Sequence, residues 1–140
     1  MDLGLDVRRP AIPWQAARVI LLDTSALIWA DQRHPRIRPL LAGNRPLYIS
    51  PATVLELQFL QESGRIRLRD GSVHSIVNDD RWLLDDPPAA PWFLRAVELV
   101  WTRDPFDRLL AAHAQLREWR LATSDGHLLD ELGPAGSLEL

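Results

Sequence analysis

The amino-acid sequence predicts a doubly wound α/β fold, a three-layer α/β/α sandwich around a central, mostly parallel sheet. Short aliphatic runs without alternation, such as residues 18–22 and 47–49, are typical of strands that are covered on both faces. They alternate with helical patterns of about 10 to 15 residues, which is the order of elements in βαβ units. The 140 residues are enough for one such domain with a single hydrophobic core.

The first half of the domain is predicted to contain two strands and three helices. His34-Pro35 ends the first helix, and Gly43-Asn44 ends the second. Ser50-Pro51 offers an N-cap followed by proline at the first helical position, which begins the third helix. The predicted elements are a strand at 18–22, helices at 24–32 and 37–42, a strand at 47–49 and a helix at 51–62.

The second half of the domain is less regular. Residues 65–69 alternate with period two, which predicts an edge strand or an extended arm. Asp104-Pro105 has the pattern of a helix cap followed by proline. The other predicted elements are a helix at 72–79, a strand at 81–84, helices at 91–100 and 104–119, a strand at 120–123, a helix at 127–132 and a strand at 137–140.

The composition excludes several classes of protein. There is no Cys, which excludes disulfides, thiolate zinc sites and cysteine nucleophiles. No apolar run reaches the roughly 18 residues of a membrane span, and the N-terminus lacks the apolar segment of a signal peptide. We therefore expect a cytoplasmic protein with no membrane partner. Residues 1–17 carry two prolines and no sustained period, and we interpret them as an N-terminal extension to a domain at 18–140.

The basic residues, 16 in number, are all Arg. Without Lys, a classical nucleotide-binding loop and a lysine-dependent phosphoacceptor or phosphatase site are disfavoured. Arg side chains instead bind phosphate through paired hydrogen bonds. Some of the arginines form two groups along the sequence. Each group could hold a nucleic-acid backbone or, equally, form a solvated face or a protein interface. The first group is Arg33, Arg36, Arg38 and Arg45, and the second is Arg65, Arg67 and Arg69.

Acidic residues follow two of the predicted strands. Asp23 ends the first strand, and Asp125 follows the strand at 120–123. Because ligands of open α/β sheets bind outside the carboxyl ends of the strands, both positions suit a functional site. Each also has a structural interpretation, Asp23 as the N-cap of the next helix and Asp125 as part of a Ser-Asp-Gly turn. The hydroxyls of Thr123 and Ser124 could orient Asp125 or hold a metal-bound water.

Glu56 lies among apolar residues of the helix at 51–62. At about 100° per residue, this helix places Glu56 within a broad apolar arc that includes Leu55, Leu57 and Phe59, while its glutamines lie on the opposite side. A lone carboxylate in a core-facing position is costly unless it is paired or bound to a metal. We therefore interpret Glu56 as a metal ligand, and the alternative is a structural ion pair with a buried Arg.

Asp104 and Asp107 occupy the cap and third positions of one helix, so capping alone could explain both. Arg108 lies four residues after Asp104 and offers it a local ion-pair partner, which favours a structural role for Asp104. Asp107 instead shares a helix face with Leu110, Ala111 and Ala114, a small apolar stripe that is suited to close packing on the sheet. We predict that Asp107 is a ligand and that Asp104 is a supporting residue.

The candidate ligands offer oxygen atoms only. Carboxylates that converge without matching cations need a hard metal ion, which favours Mg²⁺, with Mn²⁺ as a substitute, over Zn²⁺. The four His residues are scattered and show no metal-binding spacing. The residues themselves therefore predict a metal-dependent phosphodiesterase whose acids are Asp23, Glu56, Asp107 and Asp125, with Asp104 one helical turn before Asp107.

Four segments, taken in order, resemble a known family. They are Leu22-Asp23-Thr24-Ser25-Ala26, Ser50 to Leu57, Asp104-Pro105-Phe106-Asp107-Arg108-Leu109-Leu110-Ala111-Ala112 and Thr123-Ser124-Asp125. Their order and spacing over residues 18–132 resemble the PIN domain, above all the VapC-type toxins of bacterial type II toxin–antitoxin modules. The resemblance implies an α/β/α sandwich and a Mg²⁺-dependent endoribonuclease that is restrained by a cognate antitoxin and forms a homodimer.

The same resemblance implies roles for individual residues. It implies an acidic quartet of Asp23, Glu56, Asp107 and Asp125, with Ser25 and Thr123 at the hydroxyl positions and Asp104 in a DPFDR variant found in part of the family. The sequence departs from many such toxins in its N-terminal extension. Two alternatives to a toxin stay open, namely a PIN nuclease of RNA processing and an inactive PIN-like module that binds a partner without cleaving.

Overall fold

The computed structural model of the protein describes residues 19–140, and the extension predicted at residues 1–17 lies outside the described residues. None of the helices in the described chain is long and apolar enough to cross a membrane. The elements, in chain order, are β1 (Ile20–Leu22), α1 (Thr24–Asp31), α2 (Arg38–Ala42), β2 (Leu47–Ile49), α3 (Pro51–Glu62), α4 (Val73–Val77), β3 (Leu83–Leu84), α5 (Ala89–Val97), α6 (Pro105–Arg117), β4 (Arg120–Thr123), α7 (Gly126–Gly136) and β5 (Ser137–Glu139).

The strands form one five-stranded parallel sheet in the order β3-β2-β1-β4-β5. At its centre, Leu21 pairs with Tyr48 of β2 on one side and with Leu121 of β4 on the other. From β1 the chain winds outward to β2 and β3, and it then returns past β1 to form β4 and β5. The direction of winding reverses between β1 and β4, so the carboxyl ends of these two strands border the crevice where such sheets bind ligands.

Different helices cover the two faces of the sheet. Ile20 and Leu22 pack in one core cluster with residues of α1 to α4 such as Leu57. Leu21 packs in a second cluster, with Leu110 of α6 and residues of α7, because successive side chains of a strand point to opposite faces. Both faces of the sheet are therefore buried under helices. The predicted three-layer α/β/α sandwich with a parallel sheet is confirmed.

The segment at 65–69 differs from its prediction as an edge strand. It has no regular secondary structure, and two of its residues make contacts that a strand would not. Leu68 is buried in the core cluster beneath α1 to α4, and the backbone N–H of Arg69 donates to the Asp31 side chain at 3.2 Å. Because this N–H is used by a side chain rather than by a neighbouring strand, the edge-strand interpretation is wrong.

The remaining elements are present in the predicted order, but several bounds differ. The helix predicted at 91–100 runs from Ala89 to Val97, and the strand predicted at 81–84 is limited to Leu83–Leu84. Two further differences at helix ends have a visible backbone cause. The helix predicted at 127–132 continues to Gly136 through a kink at Gly133, whose φ of 70° is the left-handed conformation that glycine adopts without strain. The helix predicted to reach residue 119 ends at Arg117, because Glu118 takes a left-handed φ of 60°. Helix ends are set by single backbone conformations that periodicity does not show.

Candidate metal centre

Asp23 is positioned by the end of β1 and the start of α1. Its side chain caps α1 by accepting a 2.7 Å hydrogen bond from the Ala26 N–H, so the structural role allowed by the sequence is present. The residue is also buried, with 5% of its surface exposed. Burial raises the pKa of this carboxyl; hydrogen bonds from Thr123 and Ala26 act against that rise, and the charge of Asp125 adds to it. One residue therefore both caps a helix and lies buried beside the crevice.

Asp125 lies on the other side of the crevice, after β4. The register pairs Leu22 of β1 with Ala122 of β4, which brings Asp23 and Asp125 to the same end of neighbouring strands. Asp125 caps α7 by accepting hydrogen bonds from two backbone N–H groups of its first turn. Unlike Asp23, it is exposed. The two strand-end acids thus present one buried and one accessible carboxylate to the same crevice.

Glu56 lies in the middle of α3 and is half-buried. The Thr24 hydroxyl donates a short hydrogen bond to its Oε1. In the described part of the chain no Arg pairs with Glu56, so the alternative of a buried ion pair is not found there. Burial raises the pKa of Glu56, the Thr24 hydrogen bond lowers it, and the charges of Asp104 and Asp23 raise it again.

The apolar arc predicted around Glu56 faces the core only in part. Leu57 is fully buried, but Leu55 and Phe59 are each 51% exposed. The prediction that those two residues face the core is wrong, because helical periodicity fixes the angles between side chains and not the direction that meets the sheet. Glu56 consequently lies at the border between the buried and the exposed sides of α3.

Asp107 lies in the first turn of α6, next to a stripe of small residues. Leu110 and Ala114 in this stripe are buried, as the sequence predicted. Burial and neighbouring carboxylates raise the pKa of Asp107 from 3.8 to about 7. The charges that contribute are, in decreasing order, those of Asp104, Asp125, Glu56 and Asp23. All the predicted acids therefore act electrostatically on Asp107.

Asp104 is the N-cap of α6. Its Oδ1 accepts hydrogen bonds from the N–H groups of Phe106 and Asp107 at 2.8 and 3.2 Å, so the predicted cap is confirmed. The predicted ion pair with Arg108 is wrong, because the Arg108 Nε donates to the Thr102 carbonyl at 2.7 Å instead. With that partner turned away, the Asp104 carboxylate is the neighbouring charge that most raises the pKa of Asp107.

The two predicted hydroxyl positions differ in their surroundings. Thr123 is fully buried. It hydrogen-bonds the Asp23 side chain, and its Oγ1 accepts from the Asp125 N–H at 3.0 Å, so it joins the two strand-end acids. Ser25 is exposed in the first turn of α1, and within residues 19–140 its hydroxyl makes no hydrogen bond to these acids.

Thr24 was not predicted as a site residue, although it contacts one. It is 6% exposed, and its hydroxyl lies between Glu56 and the Thr53 hydroxyl, 3.2 Å from the latter. This contact links the first turn of α1 to the middle of α3. The sequence carries only a weak signal for this residue, namely a hydroxyl directly after Asp23 and two positions before the apolar run at 26–30.

We call Asp23, Glu56, Asp104, Asp107 and Asp125 the acidic cluster. In residues 19–140 none of them pairs with an Arg or His side chain. As the side chains stand, this part of the chain has no group of three or more His, Asp or Glu close enough to hold a metal ion. The chemistry of the set nevertheless fits a hard divalent cation, because every donor is oxygen. Burial and, after it, repulsion by neighbouring carboxylates raise the pKa of Asp107, and a bound cation offsets both effects.

A different carboxylate at the same edge, Asp85 after β3, is neutralised by the protein. Its Oδ2 accepts from the Arg117 Nε at 2.8 Å and lies 2.7 Å from the His113 Nε2, while the His113 Nδ1 lies 2.9 Å from the Ser50 Oγ. Burial favours a raised pKa for Asp85, but hydrogen bonds from Arg117 and His113 hold that pKa below its ordinary value. We call these four residues the polar network.

The polar network is structural, although its order of serine, histidine and aspartate is that of a hydrolase triad. Ser50 and His113 are both fully buried, so a substrate has no access to the hydroxyl. The Ser50 hydroxyl also caps α3, accepting from the Ala52 N–H at 3.2 Å. The sequence did not reveal the network, because its members are far apart along the chain and each has an ordinary local context.

Three comparisons with known proteins place the chain. A search of curated proteins found no significant match. Among solved structures, the chain is similar to a chain of VapBC2 from Rickettsia felis, crystallised with a DNA fragment from their promoter, with a TM-score of 0.63, 20% identity and coverage of 87% of this chain and 98% of that one. At this identity the likeness supports the fold alone. The sequence profile of the PIN domain matches residues 20–132, which include the whole acidic cluster. The chain therefore belongs to the PIN-domain family.

Proposed function

We propose that the protein is a Mg²⁺-dependent endoribonuclease and the toxin of a type II toxin–antitoxin module. PIN domains are generally nucleases, and the acidic cluster is the observation that carries the proposal. Its five carboxylates act on one another electrostatically beside the switch point of the sheet, and no cationic side chain of residues 19–140 neutralises them. Such a set destabilises the fold unless it serves a ligand, and a divalent cation beside a phosphodiester is the ligand it suits.

Four acids of the cluster are the proposed ligands. Asp23 and Asp107 would hold Mg²⁺, or Mn²⁺ in its place, directly, and Glu56 and Asp125 would bind it directly or through water. In such sites the bound cation supplies a water of lowered pKa and stabilises the departing oxygen, which gives 5′-phosphate and 3′-hydroxyl ends. A carboxylate binds a cation in its ionised form, so the pKa of about 7 at Asp107 predicts that proton loss from this residue accompanies cation binding near neutral pH.

Three further residues are proposed to support the ligands. Thr123 fixes Asp23 and the backbone before Asp125 through its hydroxyl. Asp104 caps the helix that carries Asp107 and adds its charge to the cluster. Ser25 is exposed on the first turn of α1, where its hydroxyl would face the solvent and the substrate. None of these roles needs direct contact with the cation.

Protein partners are proposed on two grounds. The similar VapBC2 structure is a complex bound to promoter DNA, and the resemblance to VapC-type toxins implies a cognate antitoxin and a homodimer. The surface offers apolar side chains for such contacts, because Phe93, Leu94, Val97 and Val100 are between 53% and 75% exposed. An apolar patch of this kind is typical of a protein interface. We propose that partners cover it in the cytoplasm.

Expression in cells tests the nuclease and toxin assignments together. Wild type, Asp107→Asn and the exposed control Asp130→Asn are each expressed with and without the adjacent open reading frame, and RNA 5′ ends are mapped. We expect growth arrest and new 5′ ends from the wild type and the control, and only without the adjacent gene. Equal toxicity and identical ends for Asp107→Asn would exclude the nuclease. Toxicity that the adjacent gene does not relieve would favour an RNA-processing enzyme outside a toxin system.

The metal requirement has its own test with purified protein. EDTA is expected to abolish RNA cleavage, and added Mg²⁺ is expected to restore it, because the carboxylates alone repel the phosphate backbone. Cleavage rates are measured on single-stranded RNA before chelation, after chelation and after Mg²⁺ addition. Cleavage that continues at its full rate in EDTA would exclude the metal-dependent mechanism while leaving the PIN fold unaffected.

A further inference from the structure

A cavity of about 490 Å³ opens at the edge of the sheet opposite the acidic cluster. Helices α1 and α3 begin beside the carboxyl ends of β1 and β2 and run back along the sheet, so they end at its amino edge. Past these ends the chain brings four guanidinium groups and two carboxylates around the cavity. They belong to Arg33, Arg38, Arg69 and Arg81, and to Asp70 and Asp79. We call this the arginine cavity.

The arginine cavity joins parts of the two Arg groups that the sequence showed. Arg33 and Arg38 come from the first group and Arg69 from the second, whereas Arg81 belonged to neither. Arg36 and Arg45 instead line a second cavity of about 410 Å³, together with residues 138–140 at the end of β5. The fold therefore gathers cationic side chains from separate segments around the arginine cavity.

Two of the four guanidinium groups are fixed in the wall. Arg81 donates from Nε and Nη2 to the two carboxylate oxygens of Asp79 at 2.9 and 2.8 Å, and its guanidinium lies over the Trp82 ring, 4.6 Å from the centroid. Arg69 donates from its backbone N–H to the Asp31 carboxylate and from Nη1 to the Asp31 carbonyl, at 3.2 and 3.4 Å. These contacts hold the Arg69 and Arg81 side chains in place in the cavity wall. The charge of Asp79 is neutralised by Arg81.

Arg33 and Arg38 are in a different situation. Both are exposed, and neither forms an ion pair with a carboxylate of residues 19–140. Arg33 also has a left-handed backbone, with a φ of 55°, which is unfavourable for any residue with a Cβ and is the conformation where glycine is most common.

We propose that the arginine cavity binds a backbone phosphate of the RNA strand, with Arg33 and Arg38 as its ligands. This rests on the proposed ribonuclease function. Guanidinium groups match phosphate oxygens in geometry and remain charged at every physiological pH. The acidic cluster repels the strand everywhere except at its cation, so a cationic contact away from the cluster is needed to hold the substrate.

The geometry sets a minimum length for the RNA that reaches both sites. The two sites are separated at least by the length of α1, whose eight residues span about 12 Å at 1.5 Å per residue. A stacked strand advances about 3.4 Å per nucleotide, so about four nucleotides separate the cleaved bond from the bound phosphate. A trinucleotide is therefore too short to occupy both sites, whereas an RNA of about 12 nucleotides is long enough.

Binding of single-stranded RNA by the full-length protein tests this proposal. Asp107→Asn is used as the background so that the RNA stays intact, and Kd is measured for RNAs of about 12 and 3 nucleotides over a series of salt concentrations. The variant Arg33→Gln/Arg38→Gln is compared with Arg95→Gln, an exposed arginine of α5 far from the cavity. A thermal melt of each variant checks that it is folded.

We expect the double variant to bind the longer RNA roughly tenfold more weakly. Its log Kd should also depend less steeply on log salt by about 0.7, which is the contribution of the one phosphate that the cavity no longer neutralises. Binding of the trinucleotide should not change, and Arg95→Gln should behave like the background. An unchanged salt slope would overturn the proposal. An equal weakening of binding for both RNAs would also overturn it, because it would indicate a general electrostatic attraction rather than a bound phosphate. Either result leaves the nuclease assignment intact, because that assignment depends on cleavage by the wild type.

Discussion

Asp85 and the acidic cluster lie along the same carboxyl edge of the sheet, and they differ in whether cationic side chains of the protein neutralise them. Asp85, after β3, bonds with Arg117 and His113, and its pKa is lowered despite burial. Asp107, in the acidic cluster beside β1 and β4, has its pKa raised to about 7 by burial and by four further carboxylates. A carboxylate that is paired with cationic side chains of the protein stabilises the fold. A carboxylate whose charged neighbours are only other carboxylates stays available to a ligand.

The two regions are also connected mechanically. Ser50 of the polar network caps α3, which carries Glu56, and His113 lies on α6, which carries Asp107. The hydrogen bond between the Ser50 hydroxyl and the His113 ring therefore ties together the two helices that bring Glu56 and Asp107 to the crevice. The polar network therefore helps to hold the helices of the acidic cluster together despite the repulsion among its five carboxylates.

The largest effect on stability is expected from breaking the polar network. His113→Ala removes a fully buried ring and leaves the Ser50 hydroxyl and one interaction of Asp85 unmatched, which should lower the free energy of unfolding by about 3 kcal/mol. The exposed His74 provides the control, and His74→Ala should change it by less than about 0.5 kcal/mol. Urea unfolding at pH 7.5 in EDTA gives both values. Similar values for the two variants would show that the network does not hold the helices together.

A change of pH is expected to have a smaller effect on the free energy of unfolding, and this effect has opposite signs in the two regions. The pKa of Asp107 is about 7 in the folded protein against 3.8 ordinarily, so the folded state binds the extra proton between these values and stability falls as pH rises. Burial is the main cause that lowers the pKa of His113 from 6.5, so the unfolded state binds that proton first and stability falls as pH drops below about 6.5.

Variants separate these two contributions. Asp107→Asn should be more stable than the wild type by about 1 kcal/mol at pH 8, after allowance for solvent screening of a half-buried group, and about equal to it at pH 5. His113→Gln should lose more stability at pH 8 than at pH 5. Urea unfolding at both pH values in EDTA is the measurement. A stability change for Asp107→Asn that is the same at pH 5 and pH 8 would refute the raised pKa.

The sequence predicted the features that depend on local order. Strands, helices and the acids that follow strands are local patterns, and the carboxyl ends of parallel strands meet at one edge by topology. Asp23 and Asp125 could therefore be placed beside one another before the structure was known. The cap at Asp104 was predictable for the same reason, because a cap contacts only the next turn.

The features that depend on contacts between distant segments could not be predicted. The Ser50 and His113 side chains meet across 63 positions of the chain, and neither has an unusual neighbour in sequence. The orientation of α3 is another case, since Leu55 and Phe59 proved exposed although their spacing suits a core face. Arg108 also had two local acceptors in reach, a carboxylate and a carbonyl, and only the folded loop decides that it donates to Thr102.

An effect of similar size is expected from removing the hydrogen bond that the Thr24 hydroxyl donates to Glu56 of the acidic cluster. Thr24→Val keeps the side-chain shape but removes the hydroxyl that donates to Glu56, so the free energy of unfolding should fall by about 1 kcal/mol. The exposed neighbour gives a matched control, and Ser25→Ala should change it by less than about 0.5 kcal/mol. Urea unfolding measures both.

Thr24→Val and Thr24→Ser together test whether Thr24 stabilises only the fold or also orients the site. If Thr24 orients Glu56, Thr24→Val should also slow RNA cleavage about tenfold at saturating Mg²⁺, as removal of a residue that orients a metal ligand typically does. Rescue of that rate by Thr24→Ser, which restores a hydroxyl, would attribute the slower cleavage to the hydrogen bond rather than to packing. Full cleavage by Thr24→Val with reduced stability would instead place Thr24 with the polar network, as a residue that serves only the fold.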